Sequence, residues 1–323
     1  MIAAGALAAL VALYAFGPRN DWGPAVPTPH APVPNALGEL APWLAARESL
    51  LEDIKPNNDK KVMWASEPAT RTDWAVVYVH GFSASRLEMA PVTERVAEQL
   101  KANVFYTRLK GHGRSNPLAM ASATPQDWMA DVLEAARIGR LLGERVLMIS
   151  ASTGGTLATW LGTTEHRDLV AAHAMISPNF GPKDPRAEII NMPWGTHLAS
   201  LIQGPTRSWQ PKSEAEANAW TSQYPTAALF PMMDLVRQVR ESDLQAFQTP
   251  ALVVYSPRDQ TVEPRQILEA FDRLGSTRKQ LVAFTQSSAE GQHVLAGAIT
   301  APESVEPMVQ QIVAWVTSIG LPQ

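Results

Sequence analysis

The run Val146-Leu-Met-Ile-Ser-Ala-Ser152-Thr-Gly-Gly155 constrains the fold more than any other part of this chain. An apolar, strand-like segment stops in small residues, and a helical pattern from Thr156 to Leu161 follows at once. A strand-to-helix corner of this kind lifts one hydroxyl, here that of Ser152, clear of the backbone at the edge of a sheet. Its neighbours must be small, because strand and helix pass close together and the turn is strained. The usual spelling is G-x-S-x-G. Ser150 stands in place of the first glycine and Gly154 keeps the last.

The flanking sequence alternates in the way such a corner needs. Strand candidates are Lys61–Ala65, Ala75–Val79, Val104–Thr107, Val146–Ser150, Val170–Ile176, Ala251–Tyr255 and Gln280–Phe284. Several are unbroken apolar runs, the pattern of a parallel sheet covered on both faces. Helical patterns lie around them at Pro42–Asp53, Leu87–Leu100, Pro125–Leu142, Gly154–Leu161, Pro264–Leu274 and Glu303–Ile319. Pro125 and Pro264 fall where a helix tolerates proline, in the first turn. The alternation predicts an α/β layered fold. Residues 181–248 break it: they carry Trp194, Trp209, Trp220, Tyr224 and Phe230 but no convincing strand. They read as a helical insertion over the carboxyl edge of the sheet, their aromatic residues either lining a pocket or forming the insertion's own core.

A serine hydroxyl is a weak nucleophile near neutral pH. It needs a base to take its proton and a carboxylate to orient that base. Asp259, in Val253-Val-Tyr-Ser-Pro-Arg-Asp259, follows an apolar strand and precedes a helix. Turn aspartates are common in that position, but this one lies downstream of the serine at a strand end, where an orienting acid belongs. Of the seven histidines, only His293 falls in the loop after the final strand, which can hang over the corner; it is the expected general base. The strand Val77-Tyr-Val ends in His80-Gly81-Phe82, a glycine turn able to aim a backbone N–H inward. Phe82 and Thr153, the residue after the serine, are the expected oxyanion donors. His80 reads as a residue that shapes this turn. Asp234 and Asp243, within the insertion, read as helix caps or exposed acids.

These segments, with Leu109-Lys-Gly111-His112-Gly113-Arg-Ser115, occur in an order that resembles the α/β-hydrolase superfamily, and within it the serine hydrolases that include monoacylglycerol lipases and carboxylesterases. The similarity spans roughly Lys61 to Ile319. It implies a mostly parallel sheet of about eight strands flanked by helices, with a helical cap inserted after the sixth strand and the Gly-His-Gly loop near the pocket mouth. It also implies cleavage of a small acyl ester, or a lipid, through an acyl-enzyme on Ser152. The alternatives with the same triad are an amidase or peptidase, or an acyltransferase. A binding protein of the same shape without turnover is a further one. No cofactor and no metal is expected, since no phosphate loop, dinucleotide fingerprint or zinc-binding motif is visible.

Composition bounds the rest. The 323 residues suit one large core with an insertion, and a net charge of −4 without a basic run argues against a nucleic-acid partner. There are no cysteines, so disulfides and thiolate metal sites are excluded. Residues 1–17 read as an apolar anchor or signal segment, residues 18–36 as a proline-rich linker, and residues 37–323 as the hydrolase domain with its cap at about 181–248. The apolar stretch over residues 2–16 is slightly short for a spanning helix, which needs about 20 residues. It points to membrane association or to export of the bacterial inner-membrane or periplasmic type. A cytoplasmic protein with a buried first helix is the plain alternative. The oligomeric state is not encoded in any pattern visible here.

Overall fold

A computed structural model describes residues 12–29 and 31–320. The expected anchor over residues 2–16 therefore lies largely outside the described residues. Its visible end, residues 12–15, is helical. Among the described residues no helix is long and apolar enough to cross a membrane.

The seven strand candidates all form, and they make one sheet. In chain order they are β1 (Lys61–Met63), β2 (Thr72–Val79), β3 (Asn103–Tyr106), β4 (Gly143–Ala151), β5 (Ala172–Ile176), β8 (Ala251–Tyr255) and β9 (Lys279–Ala283). Their spatial order is β1-β3-β2-β4-β5-β8-β9. Only β1 runs antiparallel to its neighbour. This is the α/β-hydrolase architecture, with seven main strands rather than eight among the described residues. The insertion consequently follows the fifth of them in the chain.

Period-two alternation explains the unbroken apolar runs. On β2, Ala75, Val77 and Val79 enter one core while Trp74, Val76 and Tyr78 enter the other. On β4, Val146 and Met148 face the first core and Leu147, Ile149 and Ala151 the second. One face is covered by α1 (Leu37–Glu48), α3 (Pro125–Leu142), α4 (Thr153–Thr163) and α8 (Pro264–Arg273). The other is covered by α2 (Val92–Leu100) and α9 (Val305–Ser318). Each fully buried large aliphatic side chain contributes about 1.5–3 kcal/mol, so strands sealed on both sides form the stable centre of the molecule.

Two helices differ from expectation for local reasons. The helix expected from Leu87 is a short turn at Arg86–Glu88, and α2 begins only at Val92. Pro91 intervenes; it has no N–H to donate and disfavours helical backbone at the residue before it. The first helix starts at Leu37, not Pro42, and carries that proline inside it. Burial of Leu40 and Leu44, one turn apart, offsets the lost hydrogen bond.

Residues 181–248 fold as α5 (Gly195–Gln203), α6 (Glu214–Ala219) and α7 (Leu229–Glu241), with a short hairpin of β6 (Thr206–Ser208) and β7 (Gln223–Pro225). The hairpin was not foreseen, because three-residue strands leave no periodic signal. Lys55 Nζ donates to the carbonyls of Ala217 and Trp220, at 2.8 and 2.7 Å, fastening the insertion to the body. Asp243 caps the turn that follows α7, as its sequence context implies. Of the proline-rich stretch, residues 18–25 form neither helix nor strand and lie along the surface. Buried Asn20 donates to Asn191 and to the Phe230 carbonyl, and Trp22 N–H donates to Asp234. Gln126 of α3 donates to the carbonyls of Trp22 and Pro24, and the Trp160 indole donates to that of Ala25.

Candidate active site

Ser152 occupies the corner between β4 and α4 with φ 51° and ψ −119°, a conformation sparsely populated by any residue with a Cβ. The surrounding structure holds it there. Ser152 N–H donates to the Ile176 carbonyl at the end of β5, and Asn179 N–H donates to the Ser152 carbonyl, both at 3.0 Å. Gly154 is required by contact: a Cβ there would stand 2.2 Å from the Val79 carbonyl oxygen. Ser150 fits at the first glycine position, buried, with its hydroxyl lacking a protein partner.

Asp259 lies in the turn after β8 and is fully buried. Its Oδ1 accepts from the N–H groups of Thr261 and Val262 at 2.8 and 3.0 Å. Its Oδ2 faces His293 Nδ1 at 2.8 Å. A carboxylate only accepts, so Nδ1 carries the imidazole proton and Nε2 keeps its lone pair. His293 is 14% exposed, and it lines the same cavity as Ser152. The structure therefore joins Asp259 to His293 directly and sets His293 and Ser152 on a common wall.

Phe82 and Thr153 line that cavity as well. Thr153 is the first residue of α4, so its N–H has no acceptor within the helix. The Gly81–Phe82 peptide is fixed by its neighbours. Leu109 N–H donates to His80 Nε2 at 3.1 Å, which leaves the proton on Nδ1 to bond the Gly81 carbonyl at 2.9 Å. Burial, with His112 nearby, holds the His80 imidazole well below its ordinary pKa and therefore neutral. His80 thus anchors the turn, as its position suggested. His112 is also buried, its pKa pushed down to about 4, and it stacks against the rings of His80, Phe82 and Trp128. The Gly111-His112-Gly113 loop is not among the lining residues itself; its His112 packs on Phe82, which is.

The cavity measures about 1380 Å³. The insertion supplies much of its wall, including Trp209, Trp220, Tyr224, Leu229 and Met232. Trp194 does not take part; it packs on the amino-terminal segment, its indole donating to the Leu13 carbonyl at 2.9 Å. Among the described residues no cluster of histidine, aspartate and glutamate could hold a metal ion.

Three supporting residues escaped sequence reasoning. Ser177 Oγ donates to the His293 carbonyl at 2.8 Å, Gln292 bridges Ser256 to the carbonyls of Ser287 and Ala289, and Glu88 reaches the Gly81 N–H. None sits in a recognisable motif. The one signal was their position at loop bases beside expected site residues.

The fold and this geometry define an enzyme of the serine hydrolase class. The family whose model matches residues 70–288 is Hydrolase_4, described as serine aminopeptidase, S33. The match covers more than half of the chain, and the chain belongs to that family. It is 28% identical over 212 residues to a thermostable monoacylglycerol lipase of Bacillus sp. (strain H-257), covering 66% of this chain and 81% of the relative. Among solved structures it is similar in fold to one chain from work on the metagenome-derived lipolytic enzymes LipS and LipT, with TM-score 0.66 and 22% identity, covering 82% of this chain and 99% of that one. It is also similar in fold to a monoacylglycerol lipase of Paleococcus ferrophilus, with TM-score 0.59, 17% identity, and 80% and 98% covered. The superfamily read from the motifs is thus borne out.

Asp259→Asn should leave the fold intact and reverse the imidazole tautomer. Steady-state kinetics on an activated ester are expected to show kcat lowered about 10⁴-fold, the loss seen when a triad acid becomes an amide.

Proposed function

We propose that this hydrolase cleaves carboxylic esters through an acyl-enzyme on Ser152. The observation that carries the reading is the 2.8 Å contact of Asp259 with His293 in a cavity that also exposes the strained Ser152 corner. In this scheme Ser152 Oγ attacks the acyl carbon while His293 Nε2 accepts its proton. The tetrahedral oxyanion takes the N–H groups of Phe82 and Thr153, an interaction worth about 3–4 kcal/mol per donor in related sites. His293 then protonates the leaving alcohol, and water repeats the sequence to free the acid. Asp259 keeps the imidazole in one tautomer and offsets its charge when protonated.

The insertion acts as a cap, and its aromatic and aliphatic wall favours an acyl chain over a compact polar group. The named relatives support a monoester of glycerol as the substrate type. The family description supports a second reading, hydrolysis of an amino-terminal amide bond. A panel of nitrophenyl esters of rising chain length beside amino-acid arylamides separates the two. Esters of medium chains should be preferred over acetyl, with arylamides inert; a strict acetyl preference or arylamide cleavage would contradict this reading. Ser152→Ala should abolish both ester turnover and covalent labelling by a fluorophosphonate, and retained activity would remove the assignment.

The apolar residues 2–16 favour a location at a membrane or across it. The exposed side chains of Phe16, Leu201 and Ile202 extend that character, and Ile202 also lines the cavity. The full chain should pellet with membranes and resist a carbonate wash; recovery in the soluble fraction would count against membrane anchoring.

A further inference from the structure

Glu88 is a buried carboxyl that the hydrolytic scheme leaves without a task. It is 2% exposed and sits on the turn before Pro91. Its Oε1 accepts from the Gly81 N–H at 2.7 Å and from the Tyr78 hydroxyl at 2.9 Å. Its other oxygen, Oε2, also lies beside Gly81. A Cβ built on Gly81 would stand 3.3 Å from Glu88 Oε2 and 3.1 Å from Ser152 Cβ, so the carboxyl and the serine flank the same glycine. Glu88 lines the cavity with Ser152 and His293. The loop that carries His293 rests on it from the other side. Gly297 passes so close that a Cβ there would meet the Glu88 carbonyl at 2.4 Å, and Ala298 N–H donates to the Ala90 carbonyl. One residue thus bonds the oxyanion turn, lies across Gly81 from the serine corner and meets the histidine loop.

We propose that Glu88 is a positioning residue for the reaction: its carboxyl fixes the Gly81–Phe82 turn that presents one oxyanion donor, and its negative charge stabilises the His293 imidazolium formed in each half-reaction. The inference rests on the acyl-enzyme reading given above.

The groups around Glu88 fit this role. Tyr78 on β2 donates to it, and His293 on the loop before α9 is the group whose protonated form its charge reaches. Ser152 and Gly81 are the neighbours from the corner and the turn, and neither titrates near neutral pH. On its own turn, Arg86 lies over the Tyr106 ring, and Glu94 of α2 couples to Tyr106; both sit one layer further out. Among the described residues no lysine or arginine forms an ion pair with Glu88. Burial consequently pushes its pKa up to about 7, opposed by the bonds from Gly81 and Tyr78 and by the charge on His293. The carboxyl therefore changes charge in the neutral range, and its anionic form favours positive charge on a nearby base.

Glu88→Gln keeps an acceptor for Gly81 and Tyr78 but removes the charge. Glu88→Leu removes both. The sign for the first is fixed by the coupling. An anion beside His293 favours the imidazolium, so without it the base becomes neutral at lower pH. The acid limb of the kcat/KM profile should therefore move to lower pH by about half a unit in Glu88→Gln, while the plateau falls about 3–10-fold. Glu88→Leu should lose about 10–100-fold in kcat with KM little changed, as expected when an oxyanion donor is misaligned. The experiment measures the pH–rate profiles of nitrophenyl ester hydrolysis, with fluorophosphonate labelling of Ser152 run on wild type and both variants. Near-UV circular dichroism identifies any variant that has not folded; Glu88→Gln, being nearly isosteric, is the deciding one. Labelled wild type with a Glu88→Gln profile that superimposes on it overturns the inference alone. Failure of wild type to label at Ser152 removes the underlying reading and the inference with it.

Discussion

The arrangement depends on how closely α4 can begin beside β2. The Val79 carbonyl occupies the space in which a side chain at position 154 would lie, and glycine alone leaves that space free. This proximity places Ser152 at a positive φ, because the chain must reverse from strand to helix within one residue. The strain is local and is held by hydrogen bonds from both sides, from Asn179 and to Ile176. The sheet beneath is sealed by two apolar layers, so these anchors have a rigid base.

The remaining site residues sit on loops, and the loops are knitted to one another rather than to solvent. Gln260 N–H bonds to the Gly291 carbonyl, coupling the acid turn to the histidine loop. Gln292 satisfies its amide within the same loop and reaches Ser256 at the foot of the acid turn. Ser177, itself at φ 46°, holds the His293 backbone. Each bond is worth about 1 kcal/mol net, and together they restrain the backbone that carries His293. The position of His293 is therefore held both by its backbone and by the bond of its ring to Asp259.

The layered architecture was legible because strands buried on both faces leave long apolar runs with no polar alternation. The candidate acid, base and nucleophile could be picked out because each falls at a strand end in a fixed chain order; the structure joins Asp259 to His293 and lines one cavity with His293 and Ser152. What escaped had no periodic or compositional mark. Glu88 reads in sequence as an ordinary acid in a helix, since the break at Pro91 turns it inward only in three dimensions. The hairpin within the insertion is too short to show period two. The tryptophans of the insertion divide by tertiary position: Trp209 and Trp220 face the cavity while Trp194 holds the amino-terminal segment, a distinction that composition cannot make.

The segment from Pro18 to Ala25 has a mechanical consequence. It is bonded to the insertion through Asn20, Trp22 and the Trp194 N–H, and to α3 and α4 through Gln126 and Trp160. It spans the seam between the two like a stitch. Any outward swing of α7 from the body must stretch this stitch, so that edge behaves as the fixed side of a hinge. Among the described residues Arg207 and Trp209, which line the cavity and stand exposed, share no hydrogen bond with this segment, so that side of the insertion lacks the restraint.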